Sequence, residues 1–128
     1  MTATITDAPD ISVYFRGGLV AYSNEALIAY GVDAGLIYDY GVISSEVAQA
    51  MAEVARLRLE ADIGVSITGV IGPDELEGKP AGTMYIGIDS SQNKKTIRGN
   101  YPGDRFRVKR LVTVAALFEL RKMLLALD

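Results

Sequence analysis

Residues 62–88 read Asp62-Ile63-Gly64-Val65-Ser66-Ile67-Thr68, then the glycine-rich passage GVIGPDELEGKPAG (69–82), then TMYIGI (83–88). The first segment is a strand pattern that replaces a helical one abruptly, and Thr83–Ile88 is a second strand. A polar turn at Ser90–Asn93 leads into Lys95–Tyr101, a third strand that pairs with the second as a hairpin. Upstream, Ser44 or Ser45 caps a helix running to about Glu60. Its residues Val47, Met51, Val54 and Leu57 keep the three-to-four spacing of one buried stripe. Downstream, Asp104 caps a long helix to about Leu127, with Val108, Leu111, Val112, Ala115 and Phe118 on its apolar side. Helices alternate with strands, yet two strands follow one another directly. That order predicts a layered α/β domain with a mixed sheet.

The N-terminal third is less regular. MTATITDAPD reads as a frayed end followed by a turn at Asp7-Ala8-Pro9-Asp10, because proline fixes its own φ and pushes Ala8 out of the helical region. Residues 11–23, ISVYFRGGLVAYS, suggest a strand, with Leu19–Tyr22 covered on both faces. Ser23-Asn24 caps a short helix over Glu25–Tyr30 that Gly31 stops. Residues 33–43 read as a loop with one turn of helix around Leu36.

The chain has 128 residues, is 49% hydrophobic and carries 13 basic against 16 acidic side chains, a net charge of −3. That suits one domain and excludes intrinsic disorder. It also argues against nucleic-acid binding through bulk electrostatics, which needs surplus Lys and Arg. There is no Cys and no His, so a thiol nucleophile, a disulfide, a zinc site of the usual kind and a Ser-His-Asp triad are all excluded. No apolar run approaches the roughly 18 residues of a membrane span. The N-terminus lacks the layout of a signal peptide. A cytoplasmic protein that uses neither membrane nor nucleic acid is the expectation.

Three places can carry chemistry. The loop after Thr68, Thr-Gly-Val-Ile-Gly-Pro, presents backbone N–H groups at a strand's carboxyl end, where open α/β folds bind ligands. It is neither a dinucleotide fingerprint nor a P-loop, and it reads equally as a glycine turn that reverses the chain. Arg105, Arg107, Lys109 and Arg110 begin the last helix against its dipole, which a bound anion offsets, unless they simply point into water. Tyr22, Ser23 and Asn24 lie between a strand and a helix, where Ser23 serves as a cap and has no base beside it to make it a nucleophile. Tyr22 reads as either a site residue or a core aromatic. Asp39, Glu46, Asp74 and Glu75 show no spacing that marks an acid/base pair.

AYSNEA (21–26), YGVISSEVAQAMAE (40–53), ITGVIGPD (67–74), KPAGTMYIG (79–87) and PGDR (102–105) stand in the order and spacing of one family. From about Thr4 onward the chain resembles the C-terminal domain of the CinA competence/damage-inducible proteins, also found as stand-alone nicotinamide-nucleotide amidases. The resemblance implies a three-layer αβα domain. It implies hydrolysis of the amide of nicotinamide mononucleotide to nicotinic acid mononucleotide and ammonia, with a serine nucleophile, a lysine base and no metal or other cofactor. Tyr22 would then line the site, Thr68, Gly69 and Gly72 would sit beside the nucleotide, and Arg105 would pair with its phosphate.

Two departures qualify that picture. The family's nucleophilic serine lies in a Ser-Cys-Thr-Gly-Gly segment preceding the region that aligns with residues 2–7. The family's lysine follows Asn-Glu-Ala, where this chain has Leu27. An inactive or impaired relative is therefore expected, one that keeps the nucleotide cleft, with Lys79 as the single lysine positioned to replace the base. The family's first helix and first strand are expected to be missing as well. An uncovered sheet edge then favours a homo-oligomer, or an interaction module with no small ligand.

Overall fold

The structure, a computed structural model, describes residues 1–126. Its sheet has three strands, β1 (Ile63–Gly69), β2 (Thr83–Ser90) and β3 (Lys94–Asn100), in the order β1-β2-β3. Both pairings are antiparallel, with Ser66 opposite Gly87 and Gly87 opposite Thr96. The α/β assignment holds, but the described sheet is antiparallel where a mixed one was expected. The link from β1 to β2 is a reversing loop, and a parallel neighbour would need a crossover. The other source of a parallel pairing, the strand expected within 11–23, does not form. Residues 11–13 make one 3-10 turn and 15–22 have no regular structure. Val20 and Tyr22 are exposed there and pair with no strand, so their β propensity has nothing to act on.

Among the described residues there are five helices, α1 (Thr2–Thr6), α2 (Asn24–Tyr30), α3 (Ala34–Tyr40), α4 (Ser45–Arg58) and α5 (Arg105–Ala126), of which α4 and α5 pack on the sheet. The expected end of α5 at Leu127 lies outside the described residues. Caps explain the starts: Ser23 Oγ accepts from the Ala26 N–H, Asp33 Oδ1 from Gly35, Ser44 Oγ from Val47 and Asp104 Oδ1 from Arg107. Gly31 and Gly41 end α2 and α3 at positive φ. Helix α3 replaces the loop expected over 33–43, and α1 the frayed end. Among the described residues no helix is long and apolar enough to cross a membrane.

The layers follow from the period-two alternation of β1. Ile63, Val65 and Ile67 face α5 together with Met84, Ile86 and Ile88 of β2. There they meet Val108, Val112, Ala116 and Met123. Phe118, expected in that stripe, is exposed, because the buried series steps by four residues and leaves it at the margin. The opposite face is small and polar: Gly64, Ser66 and Thr68 beside Tyr85, Gly87 and Asp89. Helix α4 lies on it through Ala48 and Ala52, while Val47 packs outward with Leu27, Val32 and Ile37, and Leu57 of the expected stripe is exposed. The helix sits too close for larger groups. A Cβ at Gly64 would run into the Ala52 carbonyl and one at Gly87 into the Ala48 carbonyl. The Ser66 hydroxyl donates to the same Ala48 oxygen. Asp89, fully buried, is satisfied from α4 by Arg56 Nε at 2.6 Å and Gln49 Nε2 at 3.1 Å.

Candidate functional site

The glycine-rich passage is a closed loop. Its neck is fixed by Val70 N–H to the Thr83 carbonyl at 2.8 Å and Gly82 N–H to the Val70 carbonyl at 2.7 Å, so residues 71–81 bulge beyond the sheet. Within the bulge, Leu76 and Lys79 exchange backbone bonds at 3.0 and 2.9 Å around the turn residues Glu77 and Gly78. The Gly72–Pro73 bond is cis. This loop, the start of α5 and the turn between α3 and α4 meet at the Gly69 end of β1.

Four of the residues expected at the site gather at that end. Thr68 is buried, and its hydroxyl donates to the Val42 carbonyl at 3.1 Å, leaving the lone pairs of its own oxygen able to accept. Arg105 Nη2 donates to the Gly72 carbonyl at 3.4 Å, a long bond that leaves most of an exposed guanidinium fork unused. Gly69 and Gly72 owe their lack of a side chain to packing. A Cβ at Gly69 would strike Met84 and the Thr83 carbonyl, and one at Gly72, where φ is +102°, would come within 2.8 Å of the Ala81 Cβ. Lys79 is half-buried in the same loop.

Tyr22 is placed elsewhere. It is 94% exposed, on the wall of an open groove of about 1000 Å³. Ile63, Val65 and Ile67 form one side of that groove, Leu117, Leu120 and Leu124 of α5 another, and the segment from Met1 to Tyr22 covers it. The groove ends at Ile67 on the α5 face of the sheet and includes no residue of the loop that follows β1. Leu27 also borders it, but its side chain is buried with Val32, Ile37 and Val47, an apolar setting for the position that the resemblance assigns to a lysine. Ser23 is spent on its cap.

The sequence reading missed Glu77 and its partners. Its carboxylate accepts from the backbone N–H groups of Val42 at 3.1 Å and Ile43 at 3.0 Å, tying the tip of the loop to the entrance of α4. The signal available was Glu77-Gly78, a two-residue turn flanked by Leu76 and Lys79. Tyr101, just after β3, bonds through its N–H to the Gly82 carbonyl at 2.9 Å. Burial, and then the Glu119 charge, push its hydroxyl above the ordinary tyrosine value, so it stays neutral and able to donate. Among the described residues no three carboxylates stand close enough to hold a metal ion.

Comparison with known proteins finds relatives of the same fold. A family model described as the CinA C-terminal domain matches residues 1–124. A CinA-like protein of Frankia casuarinae is 42% identical over 128 residues, covering 99% of this chain and 30% of that protein. A Halothermothrix orenii protein whose name carries the words competence-damage inducible is 43% identical over 125 residues, covering 95% of this chain and 30% of its own length. The chain thus spans under a third of these relatives. Crystal structures of CinA superfamily proteins superpose closely. One from Klebsiella pneumoniae 700603 does so with a TM-score of 0.93 at 26% identity, covering 98% of this chain and 79% of that one. One from Escherichia coli gives 0.91 at 28% identity, covering 95% and 72%.

Proposed function

Because the chain belongs to the CinA C-terminal domain family, we propose that it offers a binding cleft for nicotinamide mononucleotide without the means to hydrolyse its amide. The observation that carries this reading is the junction of Thr68, Gly72 and Arg105 at one end of the sheet. There a buried hydroxyl, a turn of backbone and a guanidinium with spare donors stand at the same end of β1. Arg105 takes the phosphate, for which a planar fork with spare donors is suited. Thr68 accepts from the ribose or the amide with the oxygen whose proton is engaged by Val42. Tyr22, exposed on the wall of the separate groove, is not part of this junction.

The silent chemistry rests on position 27. Attack by a serine hydroxyl needs a base to take its proton, and a leucine side chain takes none. Leu27 is packed with Val32, Ile37 and Val47, a setting that would disfavour an ammonium ion in its place. Lys79 lies within the loop itself, whereas position 27 is in α2.

Calorimetric titration with nicotinamide mononucleotide tests this. Saturable heat is expected, and Arg105→Ala should weaken binding about 10- to 100-fold, as for a lost charge-assisted pair. No heat at millimolar ligand refutes the cleft. Ammonia release from the mononucleotide by the purified chain refutes the silence.

A second reading, association between copies of the chain, is favoured by the free outer edge of β1. Its N–H and C=O groups have no strand partner among the described residues, and apolar side chains stand beside them. Light scattering that finds a monomer at every concentration removes this reading.

A further inference from the structure

We propose that Glu77 is a positioning residue, a latch whose carboxylate holds the binding loop against the α3–α4 turn and through it fixes Thr68. Three independent observations meet at this side chain. Its two oxygens accept separately from consecutive backbone N–H groups, Val42 and Ile43, and no other contact between the bulge 71–81 and the α3–α4 turn is hydrogen-bonded among the described residues. The residue stands at φ 53°, followed by Gly78 at φ 74°, in a tight turn where glycine or asparagine is the ordinary choice. A glutamate kept in that conformation is unfavourable for the turn itself, which points to a role outside it. Finally, Gly41, at φ 81°, leaves the space the carboxylate fills, since a Cβ there would collide with Glu77 Oε1.

Val42 is the relay. Its N–H is held by Glu77 and its carbonyl accepts the Thr68 hydroxyl. The Val42–Ile43 peptide unit joins the two, its N–H at Ile43 held by Glu77 and its carbonyl at Val42 by Thr68, so releasing the carboxylate frees that unit to rotate and the Thr68 rotamer loses its anchor. Among the described residues, the same release leaves the bulge hydrogen-bonded at its neck and by the long Arg105–Gly72 bond. The consequence for ligand affinity rests on the nucleotide reading above, whereas the consequence for the backbone does not.

The wild-type chain, Glu77→Gly and Glu77→Gln are compared by amide hydrogen exchange, melting temperature and calorimetric titration with nicotinamide mononucleotide. Glu77→Gly suits the turn and removes the carboxylate, so its melting point should stay within about 3 °C. Exchange at the Val42 and Ile43 amides should accelerate at least about tenfold and the nucleotide should bind about tenfold more weakly. Glu77→Gln keeps one acceptor and should fall between the two on both readouts. Unchanged exchange at Val42 and Ile43 overturns the latch. Faster exchange with unchanged affinity, in a chain whose wild type binds, overturns the positioning role. If the wild type binds no nucleotide, the cleft reading fails by itself, and the exchange data still decide the latch.

Discussion

The two edges of the sheet are built on opposite rules. The β3 edge carries Lys94, Lys95 and Arg98 within seven residues, and ion pairs pin it to both helical layers. Lys94 meets Glu53 of α4 at 3.6 Å, and Lys95 meets Glu119 of α5 at 2.8 Å. The β1 edge, Ile63–Gly69, has no charged side chain and no ion pair among the described residues, and it borders the apolar groove. Charge and pinning are how natural sheets protect an edge that faces water, while an uncharged run of small and β-branched residues suits a strand with neighbours. One strand is made as a rim and the other as an interior member.

The sharpest way to break that contrast is to give each edge strand one methyl group on a glycine. At Gly64 the new Cβ would meet the backbone of α4, the Ala52 carbonyl and the Arg56 nitrogen, neither of which can turn aside. At Gly99 it would meet the Tyr101 ring at 2.8 Å, a side chain able to swing away. Gly64→Ala should cost about 3 kcal/mol, at the upper end for overpacking, and Gly99→Ala about 1 kcal/mol. Urea unfolding measures both. Equal losses would mean that β1 is no more tightly sandwiched than β3.

The same contrast explains what was legible in the sequence. Elements that carry their own local signals were readable: Ser23 and Ser44 as caps, Gly31 as a stop, the alternation of β1 and the β2–β3 hairpin. Helix α3 was legible only as one turn around Leu36, although Asp33 caps it and Gly41 ends it. The strand expected around Leu19–Tyr22 failed because a strand exists only with a partner, and pairing is not written in one segment. Thr68, Gly72 and Arg105 were found as site candidates from strand-end position and charge. Glu77 was not, since its role depends on Val42 and Ile43, 34 and 35 positions away. Long-range contacts of a surface carboxylate leave no local pattern.

A second experiment transfers the protection of β3 to β1. Ile67→Lys places an inward-pointing charge on the groove side of the edge. If copies of the chain meet through β1, this variant should dissociate at concentrations where the wild type associates, by light scattering. The half-buried isoleucine it replaces should cost about 1 kcal/mol in stability. Wild type and variant both remaining associated to the same degree would move any interface away from β1.

The smallest expected effect lies on the opposite edge. The Lys95 hydrogen bond is the main reason that the Glu119 carboxyl is held below the ordinary glutamate value. Burial opposes it, and the Lys122 bond adds to it. A carboxyl whose value is lowered by folding binds its proton less readily in the folded chain than in the unfolded one. Its contribution is therefore complete above the ordinary glutamate range and disappears as the pH falls through the lowered folded value. Half of the Lys95 side chain is exposed, so Lys95→Ala should cost only about 0.5 kcal/mol near neutral pH. The gap to wild type should close as the pH falls through the lowered folded value, and shrink in about 1 M salt, where screening reaches within about 3 Å. A gap of constant size across that range would mean that Lys95 stabilises the rim by packing its stem on α5, and that charge is not what distinguishes β3 from β1.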